Sequence, residues 1–122
     1  MIPVACCLIL NLQGKILLAQ KPTGLWEFPG GKQHPNETLL QCAEREIREE
    51  LNIAVEAIRE LPHKHQVGGN DRHFELILVA CSWVSGQPRL SEHLSAEWFL
   101  PEQLSELSLC PGDKVLWDLY SL

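Results

Sequence analysis

The chain has 122 residues, of which 45% are hydrophobic and 21% charged, a composition typical of a globular protein with one domain over residues 1–122. Its formal net charge at pH 7 is −6, and it has no run of lysine or arginine, which argues against long nucleic acid or an anionic membrane as partner. No apolar run approaches the length of a membrane span. We expect a small-molecule partner and a monomer or homodimer.

Cysteine usage gives an expectation about the compartment. The five cysteines are odd in number, include no C-x-x-C pair and lie among apolar residues, which predicts buried free thiols in a reducing compartment. The residues after Met1 enter an apolar stretch without a basic region or cleavage site, so no signal peptide and a cytoplasmic location are expected. The cysteines are Cys6, Cys7, Cys42, Cys81 and Cys110.

The first elements in chain order form a predicted β-hairpin. Residues 3–10, PVACCLIL, are a continuous apolar run of strand length, and residues 15–20, KILLAQ, predict a second strand. Between them, residues 11–14 contain the glycine of a turn. A proline and a glycine within residues 21–24 then begin a loop.

Residues 36–51 predict the central helix, with Asn36 as its N-cap. Glu46, Glu49 and Glu50 would project from one flank of this helix, beside a core-facing apolar stripe. A glutamate-rich face is usually just solvated, but three crowded carboxylates repel one another unless a cation lies between them. Such oxygen ligands suit Mg²⁺, with Mn²⁺ as a substitute. The apolar stripe comprises Leu40, Ala43, Ile47 and Leu51.

The second half of the chain alternates predicted strands and helices. Residues 62–72 are polar and rich in turn formers, which predicts a mobile loop, and His63 and His65 within it are better explained as exposed residues than as metal ligands. The interleaved pattern predicts an α/β/α sandwich around a mixed sheet. The other predicted elements are strands at 53–61, 73–84 and 96–100, a short helix from Pro101 and a helix over 113–122.

A spaced motif fills residues 31–53: a glycine at its start, Glu37, and then REIREE at 45–50. It resembles the Nudix box, the signature of the Nudix hydrolase superfamily, and a chance match at this composition is on the order of one in ten thousand. Asn52 stands where the pattern usually has glycine, and asparagine is the next-best residue for a left-handed helix end. The preceding LWEFPGGK, residues 25–32, resembles MutT-like members. The resemblance implies the α/β/α sandwich of that family.

The resemblance also implies a metal site and catalytic residues. Glu49 and Glu50 would act in catalysis. Arg45 would orient the carboxylates by hydrogen bonds without itself binding the metal. The general base would be Glu50 or Glu92, which is matched by its place in SEHLSAEWF and is equally well explained as an exposed loop glutamate. The implied metal ligands are the carboxylates of Glu46, Glu49, Glu50 and Glu92 and the carbonyl of Gly31.

A nucleotide site is implied by the same resemblance. Phe28 would lie near the base, Lys21 stands where MutT has an arginine, and Asp113 stands where an asparagine reads the base edge. An ionised carboxylate only accepts hydrogen bonds, so Asp113 could take N1–H or N7–H of 8-oxoguanine, or the amine of cytosine. It could donate to O6 only if protonated, which a partly buried site would permit. The residues expected beside the phosphates are Gly30, Gly31 and Lys32.

Taken with the residues, the resemblance predicts a Mg²⁺-dependent pyrophosphohydrolase that converts nucleoside triphosphates to monophosphates and pyrophosphate. The first expected substrate is an oxidised purine such as 8-oxo-dGTP, whose removal sanitises the nucleotide pool. The alternative is CTP or a modified dCTP. A non-catalytic recognition module, like the MutT-like domain of adenine glycosylases, is disfavoured because this chain has the full glutamate set.

Overall fold

The computed structural model describes residues 1–122, which form one seven-stranded sheet with helices on both faces. The strand order is β3-β2-β1-β6-β5, with β4 paired to β1 and β7 paired to β2. The elements are β1 (Ile2–Leu10), β2 (Ile16–Gln20), β3 (Trp26–Glu27), β4 (Gly30–Lys32), α1 (Leu39–Leu51), β5 (Ala54–Gly69), β6 (Arg72–Ser85), β7 (Ser95–Phe99), a 3₁₀ helix (Pro101–Glu106) and α2 (Pro111–Tyr120).

The sheet is mixed, and its central strand β1 is buried on both faces. β1 runs parallel to β6 and antiparallel to β2 and β4. Cys7 and Ile9 pack in the cluster under α1, whereas Cys6 and Leu8 pack in the cluster under α2. This two-sided burial explains the continuous apolar run in the sequence. The predicted hairpin, mixed sheet and α/β/α sandwich are confirmed.

The helix α1 begins later than the sequence predicted. Thr38 is its N-cap: the Thr38 hydroxyl accepts from the Gln41 amide, and the Gln41 side chain accepts from the Thr38 amide. Asn36 has φ +68° and belongs to the preceding turn, so its assignment as N-cap was wrong. At the other end Asn52 adopts the left-handed conformation (φ 54°, ψ 37°) expected of it in place of glycine.

The predicted mobile loop at 62–72 is wrong, because most of it is paired strand. β5 and β6 form a long hairpin whose ladder continues to the pair between Gly69 and Arg72. The turn consists of Asn70 and Asp71, both with positive φ, as a tight hairpin turn requires. The segment is polar because this end of the hairpin is mostly exposed to solvent, not because it lacks hydrogen-bond partners.

The C-terminal helix also differs from its prediction. It spans Pro111–Tyr120 rather than residues 113–122, and its buried face carries Leu116 and Trp117. All five cysteines are free thiols; four are buried as expected, but Cys110, at the N-cap of α2, is half-buried. No helix of the structure has the length and apolarity needed to cross a membrane.

Candidate active site

Gly30 and Gly31, called the glycine turn below, bring the backbone against the centre of the sheet. Gly30 pairs with Cys6 in β1, and its φ is +156°. A Cβ at Gly30 would lie 1.8 Å from the Ala5 carbonyl oxygen, so no other residue fits without moving backbone. A Cβ at Gly31 would lie 2.4 Å from the carboxyl carbon of Glu46. The absence of a side chain at Gly31 therefore makes room for a carboxylate beside the turn.

Arg45 organises the acidic flank of α1. Its guanidinium forms two hydrogen bonds to Glu37 (2.8 and 3.0 Å), one to Glu46 (3.0 Å) and one to Glu49 (3.1 Å). It also donates to the carbonyl of Lys32 (3.1 Å), which connects the flank to the glycine turn. The Arg45 hydrogen bonds lower the pKa of Glu37 to about 2. These contacts fit the predicted orienting role of Arg45.

Glu50 differs from its neighbours because it has no cationic partner among the ion pairs of the structure. Burial, and then the charge of Glu46, raise the pKa of Glu50 to about 8; Glu27 and Glu92 add smaller effects of the same sign. A carboxyl group in such surroundings is protonated at neutral pH unless a cation is present. Burial and the neighbouring carboxylates therefore both disfavour a charged Glu50 when no cation is bound.

The residues present fit a hard divalent cation. The donors are carboxylate oxygens and a peptide carbonyl, the ligand chemistry that Mg²⁺ prefers. The space at Gly31 holds the Glu46 carboxylate against the turn, and Cys42 Sγ donates to the Gly31 carbonyl (3.5 Å). No three His, Cys, Asp or Glu side chains converge at metal-binding geometry, and Arg45 forms ion pairs with both Glu46 and Glu49.

A cavity of about 290 Å³ adjoins the glycine turn. Asp113, in the first turn of α2, lies in its wall and is 8% exposed. The amide of Phe28 donates to Asp113 Oδ2 (2.8 Å). Burial raises the pKa of Asp113 to about 6, although the Phe28 hydrogen bond lowers it and the charge of Lys21 does so weakly. The apolar wall opposite comprises Val4, Val67, Phe74 and Leu76.

The structure brings most of the predicted substrate residues to this cavity. Phe28, Gly30, Gly31 and Lys32 line it, and Lys32 Nζ lies 5.2 Å from the centre of the Phe74 ring. Phe28 is also 3% exposed and packs in the core near Trp117, so its side chain is largely structural. A larger groove of about 580 Å³, between β1, the 3₁₀ helix and α2, contains none of the predicted site residues.

Two residues near the site were missed by sequence reasoning. Glu27, on β3, lines the cavity, and its charge raises the pKa values of Glu50 and Asp113. His93 Nε2 lies 2.8 Å from Glu27 Oε2. The available signal for Glu27 was its place within LWEFPGGK; His93 had none. Glu92 is exposed and lies beside the C-terminal end of α1, where the preceding Ser91 hydroxyl donates to the Glu50 carbonyl (3.3 Å).

This combination of a glycine turn, an acidic helix and an adjoining cavity in an α/β/α sandwich belongs to hydrolases that act on phosphoanhydride bonds of nucleotides. Residues 2–119 match the NUDIX domain family, and the chain belongs to that family. The resemblance inferred from the box at 31–53 is thereby confirmed. Members of the family generally use a divalent metal ion and act on small nucleotide substrates.

Relatives cover nearly the whole chain. The CTP pyrophosphohydrolase of Escherichia coli (strain K12) is 36% identical over 117 residues, covering 92% of this chain and 86% of the relative. An oxidized purine nucleoside triphosphate hydrolase of Mus musculus is 29% identical over 118 residues, covering 92% and 76%. The solution structure of the E. coli ORF135 protein superposes with a TM-score of 0.82 at 35% identity, covering 99% of this chain and 89% of that protein.

Proposed function

We propose that this protein is a Mg²⁺-dependent pyrophosphohydrolase that cleaves cytosine nucleoside triphosphates to the monophosphate and pyrophosphate. The observation that carries the proposal is Asp113, a carboxyl group that is buried in the cavity wall beside the glycine turn and whose pKa burial raises to about 6. It is an acceptor suited to the exocyclic amine of cytosine. The 36% identity to a CTP pyrophosphohydrolase favours cytosine over other bases with a donor edge.

The chemistry follows from the acidic flank. Glu46, Glu49, Glu50 and the Gly31 carbonyl would hold Mg²⁺, with Glu92 joining them. The bound metal would neutralise phosphate oxygens. Arg45 keeps two of these carboxylates oriented.

Proton removal and phosphate binding are assigned to separate residues. Glu50 or Glu92 would take the proton of the attacking water on a carboxylate oxygen. Lys32, at the mouth of the glycine turn, would contact phosphate as a point charge, and Lys21 would lie on the substrate side near Asp113. Gly30 and Gly31 would lie beside the phosphates, in a stretch that packs too tightly against Ala5 and Glu46 to admit a side chain.

Oxidised purines are the second candidate. The similarity to the mouse oxidized purine nucleoside triphosphate hydrolase favours them, and 8-oxoguanine carries an N7–H that Asp113 could accept. An ionised Asp113 has no donor for O6 of that base; a protonated one would have, and burial raises the pKa of Asp113 to about 6. The higher identity to the CTP pyrophosphohydrolase, 36% against 29%, makes 8-oxo-dGTP the less favoured substrate of the two.

The direct test is hydrolysis with Mg²⁺ over a panel ranked by kcat/KM. Pyrophosphate release is measured for CTP, dCTP, 5-methyl-dCTP, dGTP and 8-oxo-dGTP, and AMP release for ADP-ribose and an adenine dinucleoside polyphosphate. We expect cytosine nucleotides to rank first. A preference for 8-oxo-dGTP over dGTP and CTP would support the proposed reaction but contradict cytosine nucleotides as its substrates. Turnover of none of them would contradict the proposal and favour a recognition module.

Asp113→Asn tests the base contact. The amide retains an oxygen for the Phe28 amide but adds a donor, so selectivity should move toward 8-oxopurines over cytosine nucleotides by roughly tenfold, the effect of one satisfied or unsatisfied polar group. The readout is the ratio of kcat/KM for CTP and 8-oxo-dGTP. Asp118→Asn is the matched control, since Asp118 lies on the same helix, is exposed and pairs with Lys114. An unchanged ratio would remove Asp113 from the base site.

A further inference from the structure

His93 is a buried ring with one satisfied nitrogen. Its side chain is 7% exposed, and Nε2 lies 2.8 Å from Oε2 of Glu27, which is 28% exposed. The pairing with a carboxyl group assigns the His93 tautomer with the proton on Nε2, which then donates to Glu27. Nδ1 is buried and has no hydrogen-bond partner. The Glu27 contact is thus the polar interaction that holds the ring in place, at the cost of an unsatisfied second nitrogen.

The segment before β7 is anchored on both sides of His93. The Arg89 amide and the Ser91 hydroxyl donate to carbonyl groups at the C-terminal end of α1 (2.8 and 3.3 Å). The Leu94 amide donates to a carbonyl group of β2 (2.8 Å). Glu92 lies between these anchors, and its immediate neighbour His93 supplies the side-chain connection to β3.

Glu27 is the other end of this connection, and it belongs to the cavity wall with Asp113. We propose that His93 is a positioning residue for hydrolysis. Its hydrogen bond to Glu27 holds the loop that carries Glu92 beside Glu50. The cavity wall therefore keeps a constant position relative to the acidic cluster of Glu46, Glu49 and Glu50. This inference rests on the proposed function, in which Glu92 acts at the acidic cluster.

The kinetic test compares two substitutions at one position. His93→Leu fills the space but removes the donor, and should lower kcat about 10- to 100-fold, the range seen for residues behind a metal site. KM should change by less than about threefold, because no substrate contact is lost. His93→Gln keeps an N–H close to the position of Nε2 and should recover most of kcat. In a Glu27→Ala background, His93→Leu should add little, because the bond is already lost.

A readout independent of activity is amide hydrogen exchange by NMR. His93→Leu should accelerate exchange at Arg89 and Leu94, the two anchored amides of the loop, while His93→Gln should leave it near the wild-type rate. His63→Leu is the control: this histidine lies on β5 against the Tyr120 ring and should change neither kcat nor the loop amides.

Three results would overturn the inference: unchanged kcat in His93→Leu, equal loss of kcat in His93→Gln and His93→Leu, or additive losses in the Glu27→Ala background. Wild-type failure to hydrolyse any nucleotide of the panel would instead contradict the proposed function. Exchange at Arg89 and Leu94 would then decide the positioning role of His93 alone, and unchanged exchange would overturn it.

Discussion

Replacing Glu50 by glutamine should abolish most turnover and yet make the metal-free protein more stable at alkaline pH. The substitution removes a predicted metal ligand and candidate base. Loss of a residue that only hydrogen-bonds to a metal ligand lowers activity about 10–100-fold, so kcat of Glu50→Gln should fall by more than about 100-fold. Pyrophosphate release with Mg²⁺ measures the loss. Glu56→Gln, at an exposed position of β5, is the matched control and should retain wild-type kcat. Activity near the wild-type level would remove Glu50 from the metal site.

The stability effect follows from the pKa of Glu50, which is raised from its ordinary value of 4.5 to about 8. A raised carboxyl pKa stabilises the folded state fully below about pH 4.5, and this contribution disappears as pH rises through about 8. Glutamine does not titrate, so the Tm of Glu50→Gln minus that of wild type should grow between pH 5 and pH 9 in EDTA. Added Mg²⁺ should raise the Tm of the wild type more than that of Glu50→Gln. A difference that does not vary with pH would contradict the buried-carboxyl explanation.

Gly30→Ala should be among the most destabilising single substitutions in the chain. The new Cβ would lie 1.8 Å from the Ala5 oxygen and 2.9 Å from its carbonyl carbon, and φ at this position is +156°. Overpacking costs about 1–3 kcal/mol and a strained backbone conformation about 1–3 kcal/mol more, against a total stability of about 5–15 kcal/mol. We expect a free energy of unfolding lowered by about 2–6 kcal/mol, measured by urea denaturation.

The relevant obstacle at Gly30 is backbone, which cannot swing aside as a side chain does. Relief would require breaking the pairing between β4 and Cys6 in the central strand. Gly69→Ala is the control, since nothing lies within 4 Å of its ideal Cβ and its φ is not positive, so its unfolding midpoint should stay near that of wild type. Wild-type stability of Gly30→Ala would mean that β4 does not pair as described.

Sequence reasoning worked where information is local. The glutamate spacing on α1, the apolar run of β1 and the left-handed end at Asn52 depend on residues a few positions apart, and all three are found in the structure. It failed where two local solutions compete. Asn36 and Thr38 are both plausible caps, and Thr38 prevails because Gln41 completes a reciprocal capping pair. The polar residues at 62–72 predict a loop, but polar strands also pair when a hairpin projects into solvent.

The sequence by itself therefore determined the family, the sandwich fold and the acidic helix, because motif spacing and periodicity are properties of neighbouring residues. The tertiary structure decided which distant groups meet. Asp113 accepts a hydrogen bond from the Phe28 amide, 85 positions away in the sequence, and His93 pairs with Glu27, 66 positions away. No local pattern encodes these pairs, since they depend on how α2 and the loop before β7 pack against β3 and the glycine turn.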